Sequence, residues 1–195
     1  MKIGVLALQG DFAAHSEALH ELGSEPREVR RPADIRDFDG LVLPGGESTT
    51  MLKLIEEEGF VEPLRAFAAQ QPVLATCAGV IILARRVISP EQRSLGVLDL
   101  EVERNAYGRQ LHSAVRRIDP APSFVERTSG GAIEAVFIRA PIIRALGSSV
   151  TALACDEERP ALIEQGRHLA ATFHPELTSD RRVHRLFLQK VRENS

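Results

Sequence analysis

The sequence predicts an α/β fold: one three-layer domain over residues 1–195, with a central, mostly parallel sheet flanked by helices and an antiparallel extension. Three observations carry this. Short apolar runs alternate with helical periodicities through the first half of the chain. Those runs are apolar at successive positions, as strands buried on both faces require. From about residue 97 the texture changes, and strand patterns follow one another with few helical windows between them.

The elements follow in order. Residues 2–8 are a near-continuous apolar run and read as the first buried strand. Asp11 is placed to cap a helix that turns Phe12, Leu19 and Leu22 inward and stops at Gly23. Residues 40–43 form the next strand, ending in Pro44, Gly45 and Gly46. Helices follow over residues 49–58, with Gly59 as the stop, and over residues 62–70. Residues 73–76 are a third strand and residues 79–86 a third helix. Beyond that, residues 97–104, 113–118, 133–138, 150–155, 161–164 and 168–173 read as strands, and an amphipathic helix over residues 180–192 closes the pattern.

Composition narrows the function classes. A chain of 195 residues, 44% hydrophobic, suits one well-filled core. The net charge of −3 gives no reason to expect a nucleic-acid partner. The Arg30-Arg31, Arg85-Arg86, Arg116-Arg117 and Arg181-Arg182 pairs are scattered among acids and read as solvated faces. No apolar stretch reaches the roughly 18 residues of a membrane span. The opening MKIGVLALQGD breaks off at polar residues too early for a secretory signal. Cys77 and Cys155 do not make a disulfide framework in a chain of this size, so the expected compartment is the reducing cytoplasm, where a thiol can act as nucleophile.

Three clusters fall at the carboxyl ends of predicted strands, where ligands gather in open parallel sheets. In Ala75-Thr76-Cys77-Ala78-Gly79 the chain passes from strand straight into helix. Such a turn holds a nucleophile exposed on strained backbone among small neighbours, with a helix N-terminus favouring thiolate and oxyanion. Alone, this is weak, since a buried structural cysteine is the commoner fate. His174-Pro175-Glu176 strengthens it, because a cysteine nucleophile needs a base and the base needs a carboxylate to orient it. The bland alternative is a loop histidine beside a solvated glutamate. Pro44-Gly45-Gly46-Glu47-Ser48-Thr49-Thr50 is the third cluster. Its glycines let backbone approach a ligand and its Ser and Thr residues can cap the next helix, although a plain capped turn reads the same way. It lacks the glycine-lysine pair of a P-loop.

The motifs LPGGESTT, TCAG, VERNAYGRQ, VFIRAP and FHPELT, with IGVLALQG at the start, together resemble the glutaminase subunits of pyridoxal 5′-phosphate synthases. These belong to the class I, triad-type glutamine amidotransferases, whose fold is flavodoxin-like. TCAG and HPE mark only the wider class, whereas GGESTT, ERNAYGRQ and FIRAP mark the subunit. The resemblance implies Cys77 as the nucleophile that forms a glutamyl thioester, His174 as its base and acid, and Glu176 as the group orienting His174. It implies glutamine binding by Gly46, Glu47, Ser48, Arg104, Ile138 and Arg139, with an arginine clamping the α-carboxylate and Glu47 meeting the ammonium. It implies that Gln9 and Gly10 form a mobile segment beside the oxyanion hole, switched when a partner docks. That partner is a separate synthase subunit, which condenses the ammonia with ribose 5-phosphate and glyceraldehyde 3-phosphate. It implies no metal and no organic cofactor. Ala75 stands where many relatives carry glycine, and is still small enough for the turn. His112 reads as a surface histidine and Cys155 as a core residue.

Other readings remain. A glutaminase feeding a different acceptor, such as that of histidine biosynthesis, would share the triad but lack GGESTT with ERNAYGRQ. A γ-glutamyl hydrolase would pass the acyl group to water and be fully active alone. A regulatory subunit on an inactive amidotransferase fold would lack a triad member.

Overall fold

A computed structural model describes residues 1–104 and 113–194. In chain order the first half comprises β1 (Lys2–Leu6), α1 (Phe12–Glu21), β2 (Glu25–Val29), β3 (Gly40–Leu43), α2 (Ser48–Glu57), α3 (Val61–Gln70), β4 (Val73–Thr76), α4 (Ala78–Leu83) and β5 (Ala84–Ile88). The second half adds β6 (Leu98–Glu103), β7 (Ser113–Pro120), α5 (Pro122–Val125), β8 (Ile133–Ile138), β9 (Ile142–Leu146), β10 (Val150–Asp156), β11 (Arg159–Gln165), β12 (His168–Ala171) and α6 (Arg182–Glu193). Single 3-10 turns lie at Pro32–Asp37 and Pro175–Leu177.

One sheet runs β2-β1-β3-β4-β12-β11-β10-β7-β8. From β2 to β12 the neighbours are parallel, and from β12 to β8 they are antiparallel. A second sheet, β5-β6-β9, covers part of one face. The chain is thus α/β, with a parallel half and an antiparallel extension.

Alternation along the strands explains the three layers. Leu41 and Leu43 of β3 and Val73 and Ala75 of β4 face the core formed with α2, α3 and α4. Val42 and Leu74 point the other way, into the core shared with α1 and α6. A strand that packs helices on both faces must be apolar at every position, which is why these runs stood out in the sequence.

Several expectations need correction. The helix expected over residues 79–86 ends at Leu83, and the chain turns into β5, where Arg85 and Arg86 pair with Asp99 and Glu101 on the neighbouring β6. Asp11 occupies the N-cap position of α1 but makes no side-chain cap bond. At α2 it is the Glu47 carboxylate that caps, accepting from the Thr49 and Thr50 amides at 3.0 and 2.7 Å. Arg181 and Arg182 are mostly buried and held by Glu21 and Asp180, not spread into solvent. Cys155 is only half-buried, lying at a sheet position next to the turn into β11. His112 and residues 105–110 of the VERNAYGRQ motif lie outside the described residues.

Candidate active site

β4 and β12 are parallel neighbours, with Thr76 in register with Ala171, so the residues that follow them emerge side by side. The Cys77 amide donates to the Ala171 carbonyl at 2.9 Å, which pins the turn to β12. The His174 amide donates to the Val136 carbonyl of β8 at 2.8 Å, which fixes the second segment. Between strand and helix Cys77 takes φ +45°, a conformation that costs a non-glycine residue energy and persists where surroundings impose it. Ala75 is fully buried in β4 and the turn forms with it in place.

The His174 imidazole has Cys77 on one side, close enough to raise its pKa. On the other, its Nδ1 donates to Glu176 Oε1 at 2.7 Å. Burial alone would lower the pKa of His174, but the bonds and charges of Cys77 and Glu176 outweigh it and raise the value to about 10. The imidazole is therefore a cation at neutral pH, held between Cys77 and Glu176. The Cys77 sulfur also lies 3.8 Å from the Ile138 carbonyl oxygen.

These groups open into a cleft of about 250 Å³. Gln9, Gly10, Gly46, Glu47 and Ser48 form one wall; Arg104, Ile138 and Arg139 line it as well, with Cys77 and His174 at its base. Glu176 does not line the cleft and stays behind His174, with a fully buried side chain. Among the described residues, the structure thus brings the candidate catalytic, glutamine-binding and switch residues together.

Local packing explains the glycines. A Cβ on Gly45 would strike the His174 ring and crowd Cys77. One on Gly46 would strike the Gln9 side chain, whose Oε1 accepts from the Glu47 amide at 2.8 Å. Gly10 has φ +97°, and a Cβ there would overlap the Gly45 carbonyl oxygen.

The charged lining is already organised. Burial would raise the pKa of Glu47, but the Thr50 and Thr49 amides prevail and bring it down to about 2. Arg104 donates to Thr49 Oγ1 at 2.8 Å, and its guanidinium stands 3.9 Å from Glu47. Arg139 is exposed at the cleft with φ +47°. The pocket pairs a fixed anion with two cations, which suits a zwitterionic amino acid.

Sequence reasoning missed Asp11 and Ile81, which also line the cleft. Asp11 Oδ2 lies 3.8 Å from His174 Nδ1, so the residue expected to cap α1 faces the site instead. It missed His15 and His184 too, buried beneath Glu176. Only contacts across distant segments reveal these. Asp11, His174 and Glu176 present potential ligand atoms within 4.8 Å of one another. His174 Nδ1 and Glu176 Oε1 are bonded to each other, so a cation would have to break that pair.

Comparisons with known proteins place the chain in a family. The model of the SNO glutamine amidotransferase family matches residues 5–193. A relative from Solibacter usitatus, named pyridoxal 5′-phosphate synthase subunit PdxT, is 54% identical, covering 97% of this chain and 99% of its own. Another of that name from Koribacter versatilis is 51% identical over 100% of this chain and 98% of its own. A crystal structure described as a glutamine amidotransferase superposes with a TM-score of 0.87 at 45% identity, covering 97% of this chain and 98% of that one.

Proposed function

Because this chain belongs to the SNO glutamine amidotransferase family, we propose that it is the glutaminase subunit of a pyridoxal 5′-phosphate synthase. It hydrolyses L-glutamine to L-glutamate and ammonia, and a separate synthase subunit consumes the ammonia with ribose 5-phosphate and glyceraldehyde 3-phosphate. The observation that carries the chemistry is the clustering of Cys77, His174 and Glu176, with His174 hydrogen-bonded to Glu176, at a cleft sized for an amino acid.

In this reading the Cys77 thiolate attacks the side-chain carboxamide carbon of glutamine. Backbone amides near Gly10 and the α4 N-terminus stabilise the oxyanion. His174, held as a cation by its two partners, gives its proton to the leaving nitrogen, so that ammonia departs and a glutamyl thioester remains. Water, deprotonated by the now neutral His174, then releases glutamate. Glu176 keeps Nδ1–H aimed inward and leaves Nε2 to serve the sulfur. Arg104 and Arg139 supply the charge that holds the α-carboxylate, and Glu47 that for the ammonium. The chain works in the cytoplasm as part of a hetero-oligomer.

The test combines labelling with turnover. A glutamine-analogue electrophile should modify Cys77 once and leave Cys155 untouched, as peptide mass spectrometry will locate. Glutamine hydrolysis by the purified chain should rise when a synthase subunit is added, by about 10²-fold or more if docking completes the oxyanion hole. Adduct on Cys155 alone would remove the triad. Full activity alone, unchanged by the synthase, would favour a stand-alone hydrolase.

A further inference from the structure

Behind the candidate triad lies a second line of buried polar groups. Glu176 Oε1 is taken by His174, but Oε2 is fully buried and lacks a well-aligned hydrogen-bond partner among the described residues. Nε2 of His15 stands 3.2 Å from Oε2. That nitrogen also meets Thr76 Oγ1, on the residue preceding Cys77, at 3.1 Å. The other ring nitrogen, Nδ1, is 3.0 Å from Nε2 of His184. Both histidines are wholly inaccessible to solvent. Thus α1, β4, α6 and the turn carrying Glu176 meet at one point beneath the nucleophile.

Proton counting decides the direction of this line. The 3.0 Å contact between His15 Nδ1 and His184 Nε2 requires one proton between them, since two would collide and none would face two lone pairs. Burial with neighbouring charges keeps both rings neutral. Suppose the shared proton belonged to His15 Nδ1. Nε2 would then turn a lone pair towards a carboxylate oxygen, and His184 would carry its own proton on Nδ1, where no acceptor is found. A buried N–H without a partner is among the rarest features of native structures. The opposite choice removes both conflicts. His184 donates from Nε2 to His15 Nδ1, and His15 presents Nε2–H to the space between Thr76 Oγ1 and Glu176 Oε2. His184 is left with only an unpaired acceptor.

We propose that His15 is a positioning residue of the glutaminase site, locked by His184 in the tautomer that donates from Nε2, so that the Glu176 side chain stays turned towards His174. His15 never touches substrate. It acts through Glu176, which is otherwise bonded on one oxygen only, and through Thr76, which adjoins the strained Cys77 turn. This rests on the reading of Cys77, His174 and Glu176 as the reacting set.

The first measurement needs no mutation. In the full chain labelled with ¹⁵N-histidine, the ring nitrogen shifts and couplings should show His15 neutral and protonated on Nε2. Protonation on Nδ1, or a charged ring, overturns the proposal. The second compares variants in the presence of the synthase subunit. His15→Phe keeps a somewhat larger aromatic ring but removes the donor, and should lower kcat by about 10- to 100-fold, the scale of a lost polar interaction with a charged group, with little change in the glutamine KM. His15→Gln can place an amide N–H near the same spot and should recover much of that loss. A folded His15→Phe variant with kcat within about twofold of the parent overturns the role. If that variant does not fold, the tautomer measurement decides alone. Cys77→Ala separates the two readings. Residual wild-type turnover in it would remove the triad itself, whereas an inert Cys77→Ala beside a fully active His15→Phe would remove only the positioning role.

Discussion

Gly10 shows how tightly single positions are specified around the cleft. Its positive φ and its contact with the Gly45 carbonyl oxygen exclude any side chain. Gly10→Ala should therefore displace the Gln9–Asp11 backbone and lower kcat by about 10²-fold or more, if this segment supplies an oxyanion donor. The check is steady-state hydrolysis with the synthase present, alongside a melting curve to confirm folding. Wild-type kcat in a folded variant would detach this segment from the chemistry. The two arginines offer a separate test. Arg104 is held by Thr49 and stands near Glu47, whereas Arg139 is exposed. An α-carboxylate clamp binds ground and transition state alike, so Arg104→Ala or Arg139→Ala should raise KM by about 10- to 150-fold and change kcat less. If neither does, glutamine binds elsewhere. Most cleft-lining residues, though not Asp11 and Ile81, were legible because family motifs fall there at strand ends. His15 and His184 were not, since they lie 169 positions apart and each reads locally as an ordinary helical polar residue.

At the scale of elements, legibility tracked burial. Strands such as β3 and β4, apolar at each position, were visible because both faces pack against helices. β2 was not, because it is an edge strand of sequence EPREV, with Pro26 tolerated where one side needs no ladder bond. β5 was hidden in a helical pattern, and β9 pairs with β6, far back in the sequence, in the small second sheet. The α2 N-terminus illustrates a local rule met by an unexpected residue. Glutamate is an uncommon N-cap, yet here its longer side chain reaches both Thr49 and Thr50 amides while staying in the cleft. Glu47→Ala should cost about 1 kcal/mol of stability, the usual loss for an N-cap, and Glu47→Gln less, since an amide oxygen still accepts. Urea unfolding at pH 7 measures both. Because the folded pKa is depressed to about 2, this carboxylate's contribution is present above its ordinary value near 4.5 and is lost as pH falls towards 2. Equal stability of wild type and Glu47→Ala at pH 7 would remove the capping role.

Across the whole molecule, buried histidines set opposing limits on stability. Burial, with nearby cationic groups, lowers the pKa of His184 to about 3 and of His168 to about 4; burial, with His184 and His174, holds His15 well below its ordinary value. Each is neutral in the folded chain and takes a proton on unfolding below about pH 6.5. The contributions of His184 and His168 are therefore intact above pH 6.5 and lost as pH falls towards 3–4, and that of His15 is lost in the same direction. His174 has the opposite sign. Its raised value of about 10 means the folded chain holds a proton that the unfolded chain releases, so that contribution is intact below pH 6.5 and lost as pH rises towards 10. Stability should peak near pH 6.5, with an acid limb steeper than the alkaline one. At roughly 1.4 kcal/mol per proton per pH unit, three histidines give an acid slope approaching about 4 kcal/mol per unit at its steepest. His168 lies outside the candidate site, on β12, so His168→Gln removes one of the three without touching the triad. Unfolding free energies measured by urea from pH 4 to pH 9 should show the acid slope reduced by about one third in that variant. An unchanged slope would mean that His168 is not held neutral by the fold, and that the acid limb comes from carboxylates such as Glu164 and Asp180, whose values are lowered despite burial by their bonds to Arg127 and Arg182.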